Sequence, residues 1–227
     1  MKKYCTTSLF YKKYPYKLTI HNQICHIFKN LNLAFAKSNL DSMQLQAESD
    51  LPLTLFYLRN SWRRHRHISL ETFMEACVIY NALVNNKDKC SVRCEVYNID
   101  IYSTEKDWLT ELSKKVQATK FWEPETDSIK NYLEYNTNVQ IVDNEVEWPY
   151  KVYFGSRVNP DFADYCDHNK SWIKIGAKAK QHIKNYGYSN GYYFYVKSEK
   201  QLMLTKIASG SKFGRVVKYV SRHELHK

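Results

Sequence analysis

Glycine is scarce, at six in 227 residues. Loops that wrap a dinucleotide or cradle a phosphate need close backbone approach and positive φ, so this scarcity argues against both. No Gly-x4-Gly-Lys-Ser/Thr, His-Glu-x2-His or Gly-x-Ser-x-Gly pattern occurs, and the commonest nucleotidase, zinc-protease and serine-hydrolase signatures are missing with them. No apolar run reaches the ~18–20 residues that span a bilayer. The apolar stretch within the first ten residues is too short for an export signal. These absences point to a cytoplasmic chain (host-cell cytoplasm if viral), not secreted and without a membrane partner. The six cysteines, Cys5, Cys25, Cys77, Cys90, Cys94 and Cys166, sit in apolar segments and read as buried free thiols in a reducing compartment.

Tyrosine is abundant, with 19 copies, and charge is unevenly placed. The net charge of +11 divides into +8 over residues 1–67, −7 over 68–147 and +10 over 148–227. Two basic lobes flanking an acidic middle make a polyanion a plausible partner. At 44% hydrophobic and 25% charged, the chain has the composition of a folded protein with a full core.

The chain also repeats itself. Tyr14-Pro15-Tyr16-Lys17-Leu18-Thr19-Ile20 returns 134 residues later as Trp148-Pro149-Tyr150-Lys151-Val152-Tyr153-Phe154. A second match follows in the same order, where Ser103-Thr104-Glu105-Lys106 parallels Lys197-Ser198-Glu199-Lys200. Thr104 with Asp107, and Ser198 with Gln201, have the spacing of a capping box at a strand-to-helix turn. The expected fold is α/β (α+β), with two tandem, duplicated units of mixed strand and helix. Residues 1–122 form the first unit, with an insertion at about 21–68. The acidic stretch 123–147 connects it to the second unit, 148–227, and Pro15 is expected to match Pro149 and Thr104 to match Ser198.

Local pattern supplies the elements. Tyr16–Ile20 and Tyr150–Phe154 read as strands, Ser69 caps a helix to about Asn86, and Cys90–Tyr102 reads as one long strand with a change of covered face near Tyr97. A second capped helix is expected behind Thr104, a short one at 128–135, and others behind Asn159-Pro160, from Ala177 to a Gly187 C-cap, and behind Ser198. The lean towards Asn, Lys, Tyr and Ile, with short polar loops, resembles proteins of AT-rich phage or viral genomes.

Three features carry functional expectations. Trp62, Arg63, Arg64 and Arg66 belong to the most basic hexapeptide, where arginines would hold phosphates and Trp62 would stack on a base. Lys174, Lys178, Lys180 and Lys184 are read along one helix as a phosphate-contacting face. Tyr193 and Tyr195 share one face of a strand, the placement from which single-strand binders stack bases.

Other chemistry finds less support. Cys90 and Cys94 within one strand would lie ~13 Å apart, too far to share a zinc ion. No metal, cofactor or catalytic residue is expected. Asp161, Asp164 and Asp167 recur at helical spacing and are the one hint of a metal-dependent nuclease. The expectation is a non-catalytic, phage- or virus-encoded accessory protein that binds nucleic acid, DNA or RNA, backbone-directed or single-stranded. The alternative is a protein partner, with the chain a small virion component or an inhibitor of a host enzyme.

Overall fold

The computed structural model describes residues 1–59, 62–155, 158–185, 189, 191–209 and 213–225, with residues 56–59 and 62–66 described by backbone alone. The chain forms two compact units, Met1–Glu134 and Tyr135–Lys227.

The first unit opens with β1 (Lys2–Cys5) and β2 (Tyr16–His21). A short 3-10 stretch, Cys25–Leu31, breaks at Lys29 and Asn30. Helix α1 (Leu33–Glu48) follows, capped by the Asn32 side chain on the Phe35 amide. The hairpin of β3 (Thr54–Arg59) and β4 (Trp62–His67) leads to α2 (Leu70–Asn85), where the Ser69 hydroxyl accepts from the Thr72 amide. Then come β5 (Cys90–Glu95), β6 (Asn98–Ser103), α3 (Asp107–Lys115), β7 (Ala118–Glu123) and α4 (Asp127–Tyr135).

The long strand expected over 90–102 is therefore a hairpin. Glu95 pairs with Asn98 across a two-residue turn, and Val96 takes a left-handed φ of 45° without a glycine. The parity switch at Tyr97 records that reversal, because a two-residue turn re-enters the sheet with the opposite pleat. Turn chemistry gave no warning, since valine is an unusual residue at positive φ.

The second unit contains β8 (Val139–Val142), β9 (Tyr150–Phe154), α5 (Asp161–His168), β10 (Ile173–Ile175), α6 (Ala177–Lys184), β11 (Tyr193–Val196), α7 (Glu199–Ala208), β12 (Phe213–Ser221) and α8 (Arg222–Leu225). The acidic stretch after residue 123 thus contributes a helix, α4, and the edge strand β8. Gly187 lies outside the described residues; α6 ends at Lys184.

Both units have one sheet order, although α6 joins β10 to β11 where a two-residue turn joins β5 to β6. The first sheet runs β1-β7-β2-β6-β5 and the second β8-β12-β9-β11-β10. In each, the edge strand runs parallel to its neighbour and every other pairing is antiparallel. Leaving the edge strand aside, this is the split βαβ plan. Hydrophobic alternation explains which face is covered. Leu18, Ile20, Ile99, Ile101 and Phe121 pack on Phe28, Met43, Ile79, Leu83 and Leu109 of the first core. Val152, Phe154, Phe194 and Val196 pack on Phe162, Cys166, Ile183 and Leu202 of the second. Between β2 and α2 the first unit inserts the 3-10 stretch, α1 and the β3–β4 hairpin.

Pairing register fixes the correspondence residue by residue. Lys17 lies opposite Tyr102 and Trp122, and Lys151 lies opposite Tyr195 and Val217. Pro15 thus matches Pro149. Thr104, however, matches Lys197 and not Ser198, because the turn from β6 into α3 is one residue longer than that from β11 into α7. Of these two turns, the second carries a side-chain cap, with Ser198 Oγ accepting from the Gln201 amide at 3.3 Å and donating to Gln201 Oε1 at 2.9 Å, and the first carries none. In the first, Ser103 Oγ takes the Glu105 amide and the Trp108 indole N–H, both at 3.0 Å.

Candidate nucleic-acid interface

Because side chains alternate along a strand, the residues between the core-facing ones project from the opposite side of each sheet. In the second unit these include Lys151 and Tyr153 on β9, Tyr193 and Tyr195 on β11, Lys174 on β10 and, opposite Lys151 on β12, the buried Val217. β9 and β11 are adjacent, so Tyr153 pairs with Tyr193, Lys151 with Tyr195, and Lys174 continues that row beyond Tyr195. Tyr193 is 41% exposed, and Tyr153 and Tyr195 are partly so.

The rings form one cluster. Tyr153 and Tyr193 meet edge to face at 5.8 Å, and Tyr193 and Tyr195 at 5.5 Å. The Lys151 ammonium sits among them, 3.9 Å from the Tyr193 centroid, 5.0 Å from Tyr153 and 5.9 Å from Tyr195. Burial pulls the Lys151 pKa down, but hydrogen bonding to Tyr153 and the nearby Tyr219 and Tyr195 phenols outweigh it and leave it raised. Burial is also the main cause that raises the Tyr195 phenol. Lys151 is a cation at neutral pH, and among the described residues no carboxylate pairs with it. Partly exposed rings around an ammonium without a carboxylate partner among the described residues can stack on a planar ligand and hold an anion beside it.

The structure separates the other expected residues. Lys174 lies on a strand, on the face of Tyr195, and not on the lysine helix. Lys180 and Lys184 on α6 are engaged by α5: Lys180 pairs with Asp167 at 2.6 Å and Lys184 with Asp164 at 2.9 Å. Lys170 reaches Asp167 at 3.4 Å, and the hydrogen bond from Lys180 is the leading cause that holds the Asp167 carboxyl below its ordinary range. Lys178 is exposed and makes no ion pair among the described residues. Two of the three aspartates at helical spacing are thus spent on lysines, and no group of three metal-ligating side chains occurs among the described residues. Trp62, Arg63, Arg64 and Arg66 fall on β4, and their side chains lie outside the described residues.

Lys151 and Tyr153 join the candidate site, and sequence reasoning missed both. Their signal was the repeated Pro-Tyr-Lys motif itself. A lysine at the same pleat position in both copies, two residues after a strand-opening proline, projects from the face opposite the helices.

The corresponding face of the first unit is organised differently. Lys17 stands where Lys151 does and forms an ion pair with Asp100 at 2.9 Å, the two side chains being only 15% and 18% exposed. Its ammonium lies 4.4 Å from the Trp122 ring, 5.5 Å from Tyr102 and 5.8 Å from Phe10. A tight hairpin covers this face. Phe10 and Tyr14 exchange backbone hydrogen bonds of 2.9 Å, with Tyr11 and Lys12 at positive φ between them. The hairpin lays Phe10 and Tyr11 on Tyr102, at 5.3 and 4.9 Å between centroids.

No helix among the described residues is long and apolar enough to cross a membrane. The chain matches no protein-family model, no curated protein and no solved structure.

Proposed function

We propose that this protein binds single-stranded nucleic acid, without catalysis, through the face of its second sheet opposite the helices. The observation that carries the reading is the placement of Tyr153, Tyr193 and Tyr195 on two adjacent strands, around the Lys151 ammonium and away from the helices. Sheet-based binders of single strands stack bases on aromatics of neighbouring strands, and each such contact contributes roughly 1–3 kcal/mol. The +10 charge of residues 148–227 adds a backbone term that does not depend on sequence. An accessory protein of a phage or virus, acting in the host cytoplasm, is the setting that the Asn-, Lys-, Tyr- and Ile-rich composition supports.

Titration of labelled single-stranded and duplex oligonucleotides at two salt concentrations tests this. Tyr193→Ala lowers single-strand affinity about tenfold with little effect on duplex, since stacking needs an unpaired base. Thermal melting of the variant stays near wild type, because Tyr193 is 41% exposed. No binding by the folded wild type at low salt refutes the reading.

A protein-interaction role is the second reading, and one observation favours it. Helix α7 exposes Met203, Leu204 and Ile207, at 59%, 47% and 77%. If oligonucleotides fail to bind, that surface becomes the leading candidate.

A further inference from the structure

We infer that only the second unit is a working nucleotide site, with Lys151 as its phosphate-binding group, and that the first unit holds the same site in a self-occupied form. This rests on the nucleic-acid reading above and adds which copy binds and which group takes the anion.

The comparison is internal and register-exact at the residues concerned. Lys17 and Lys151 are equivalent, as are Thr19 and Tyr153, Tyr102 and Tyr195, and Asp100 and Tyr193. In the first unit the ammonium has its anion in Asp100, and the platform ring Tyr102 is covered by Phe10, tilted at 52°, and by Tyr11, edge-on at 85°. Both come from the chain itself. Among its described residues the second unit supplies neither. Tyr193 replaces the carboxylate, so Lys151 gains a ring and loses its counterion. The ten residues 6–15 between β1 and β2 are replaced by only seven, 143–149, between β8 and β9. Among the described residues that shorter segment places no ring on Tyr153, Tyr193 or Tyr195; its Trp148 lies instead against Lys197, at 4.7 Å.

A ligand that satisfies the second site must therefore bring an anionic group and an aromatic plane together. A nucleotide has both, in its phosphate and its base. Lys174 lies two strands from Lys151, ~10 Å across the sheet, so a strand crossing the platform meets a second ammonium. Thr19 and Asp100, by contrast, make the first face polar and internally paired, with no stacking ring at either position.

The test uses the full chain and a fluorescently labelled ten-nucleotide oligothymidylate, followed by anisotropy at two salt concentrations, with circular dichroism and melting on every variant. Lys151→Met is expected to lower affinity about tenfold and flatten the salt slope by roughly 0.7 for one lost phosphate contact. Tyr193→Asp recreates the Lys17–Asp100 pairing in the second unit and is expected to abolish binding. The double variant Lys17→Met/Asp100→Asn keeps wild-type affinity and salt slope. Wild-type binding that survives both Lys151→Met and Tyr193→Asp overturns the assignment while leaving the nucleic-acid reading intact. Loss of binding in the Lys17→Met/Asp100→Asn variant, folded by circular dichroism, places the site in the first unit and overturns it equally. Failure of the wild type to bind removes both readings at once.

Discussion

Replacing Asp100 by asparagine removes one charge from the first sheet and little else. Asparagine keeps the shape and can still accept from Thr19, whose hydroxyl bonds Asp100 Oδ1. What it loses is the ion pair to Lys17 at 2.9 Å, between side chains 15% and 18% exposed. An exposed pair contributes ~0–1 kcal/mol, whereas removing one partner of a buried pair costs ~3–5 kcal/mol through the charge left behind. This pair lies nearer the buried limit. The Trp122, Tyr102 and Phe10 rings remain within 5.8 Å of the ammonium and still hold it, which returns ~1 kcal/mol. The expected cost is therefore about 2 kcal/mol, or roughly 6–10 °C in the melting of a unit this size. Lys17→Met/Asp100→Asn, with both charges gone, should return to within about 1 kcal/mol of wild type. Urea denaturation of the four proteins of the cycle gives the coupling directly, about 2 kcal/mol if the reasoning holds. A single variant as stable as wild type, or a double variant as unstable as the single, would refute it.

Three further outcomes follow from particular residues. None of the six cysteines forms a disulfide, and Cys5 is exposed while Cys25, Cys90 and Cys166 are buried; burial pushes the Cys90 thiol up to about 11 and the Cys166 thiol up to about 12. A thiol reagent at pH 8 should label Cys5 at once, reach Cys90 and Cys166 only on unfolding, and total six without reductant. Burial opposes the charge of Glu123, but its ion pairs with Lys106 at 2.5 Å and Lys3 at 3.5 Å outweigh it and hold the carboxyl below the ordinary 4.5. A depressed folded value means stability that is complete above pH 4.5 and lost as pH falls through the folded value, so Glu123→Gln should flatten the acid limb of a melting-temperature profile. Ser198→Ala should cost about 1 kcal/mol by thermal denaturation, while Thr104→Ala costs little, because Ser198 caps α7 and Thr104 caps nothing.

Much of the fold was legible because its signals are local. Tyr16–Ile20 and Tyr150–Phe154 alternate cleanly, Ser69 and Ser198 cap as their spacing implies, and the repeated motif identified two units of one plan. What escaped depends on pairing. β1 and β8 are four-residue edge strands with polar flanks, and only their parallel partners, β7 and β12, define them. The β5–β6 reversal at Val96-Tyr97 carries no Gly, Asn or Asp, so nothing in the local chemistry marks it. Charge pattern alone also left out the partners. A lysine-rich helix looks like a polyanion face until α5 brings Asp164 and Asp167 against it. Tyr193 and Tyr195 were readable from strand parity alone, but Lys151 needed the register that sets it between them.

Photochemical crosslinking of a uniformly thiouridine-substituted single strand to the wild-type protein, with the crosslinked peptides sequenced, tests the central claim most directly. The predicted crosslinks fall on Tyr153, Tyr193 and Tyr195 and disappear when salt displaces the strand. Crosslinks confined to residues 54–67 or to α6, with none on β9 or β11, would contradict it.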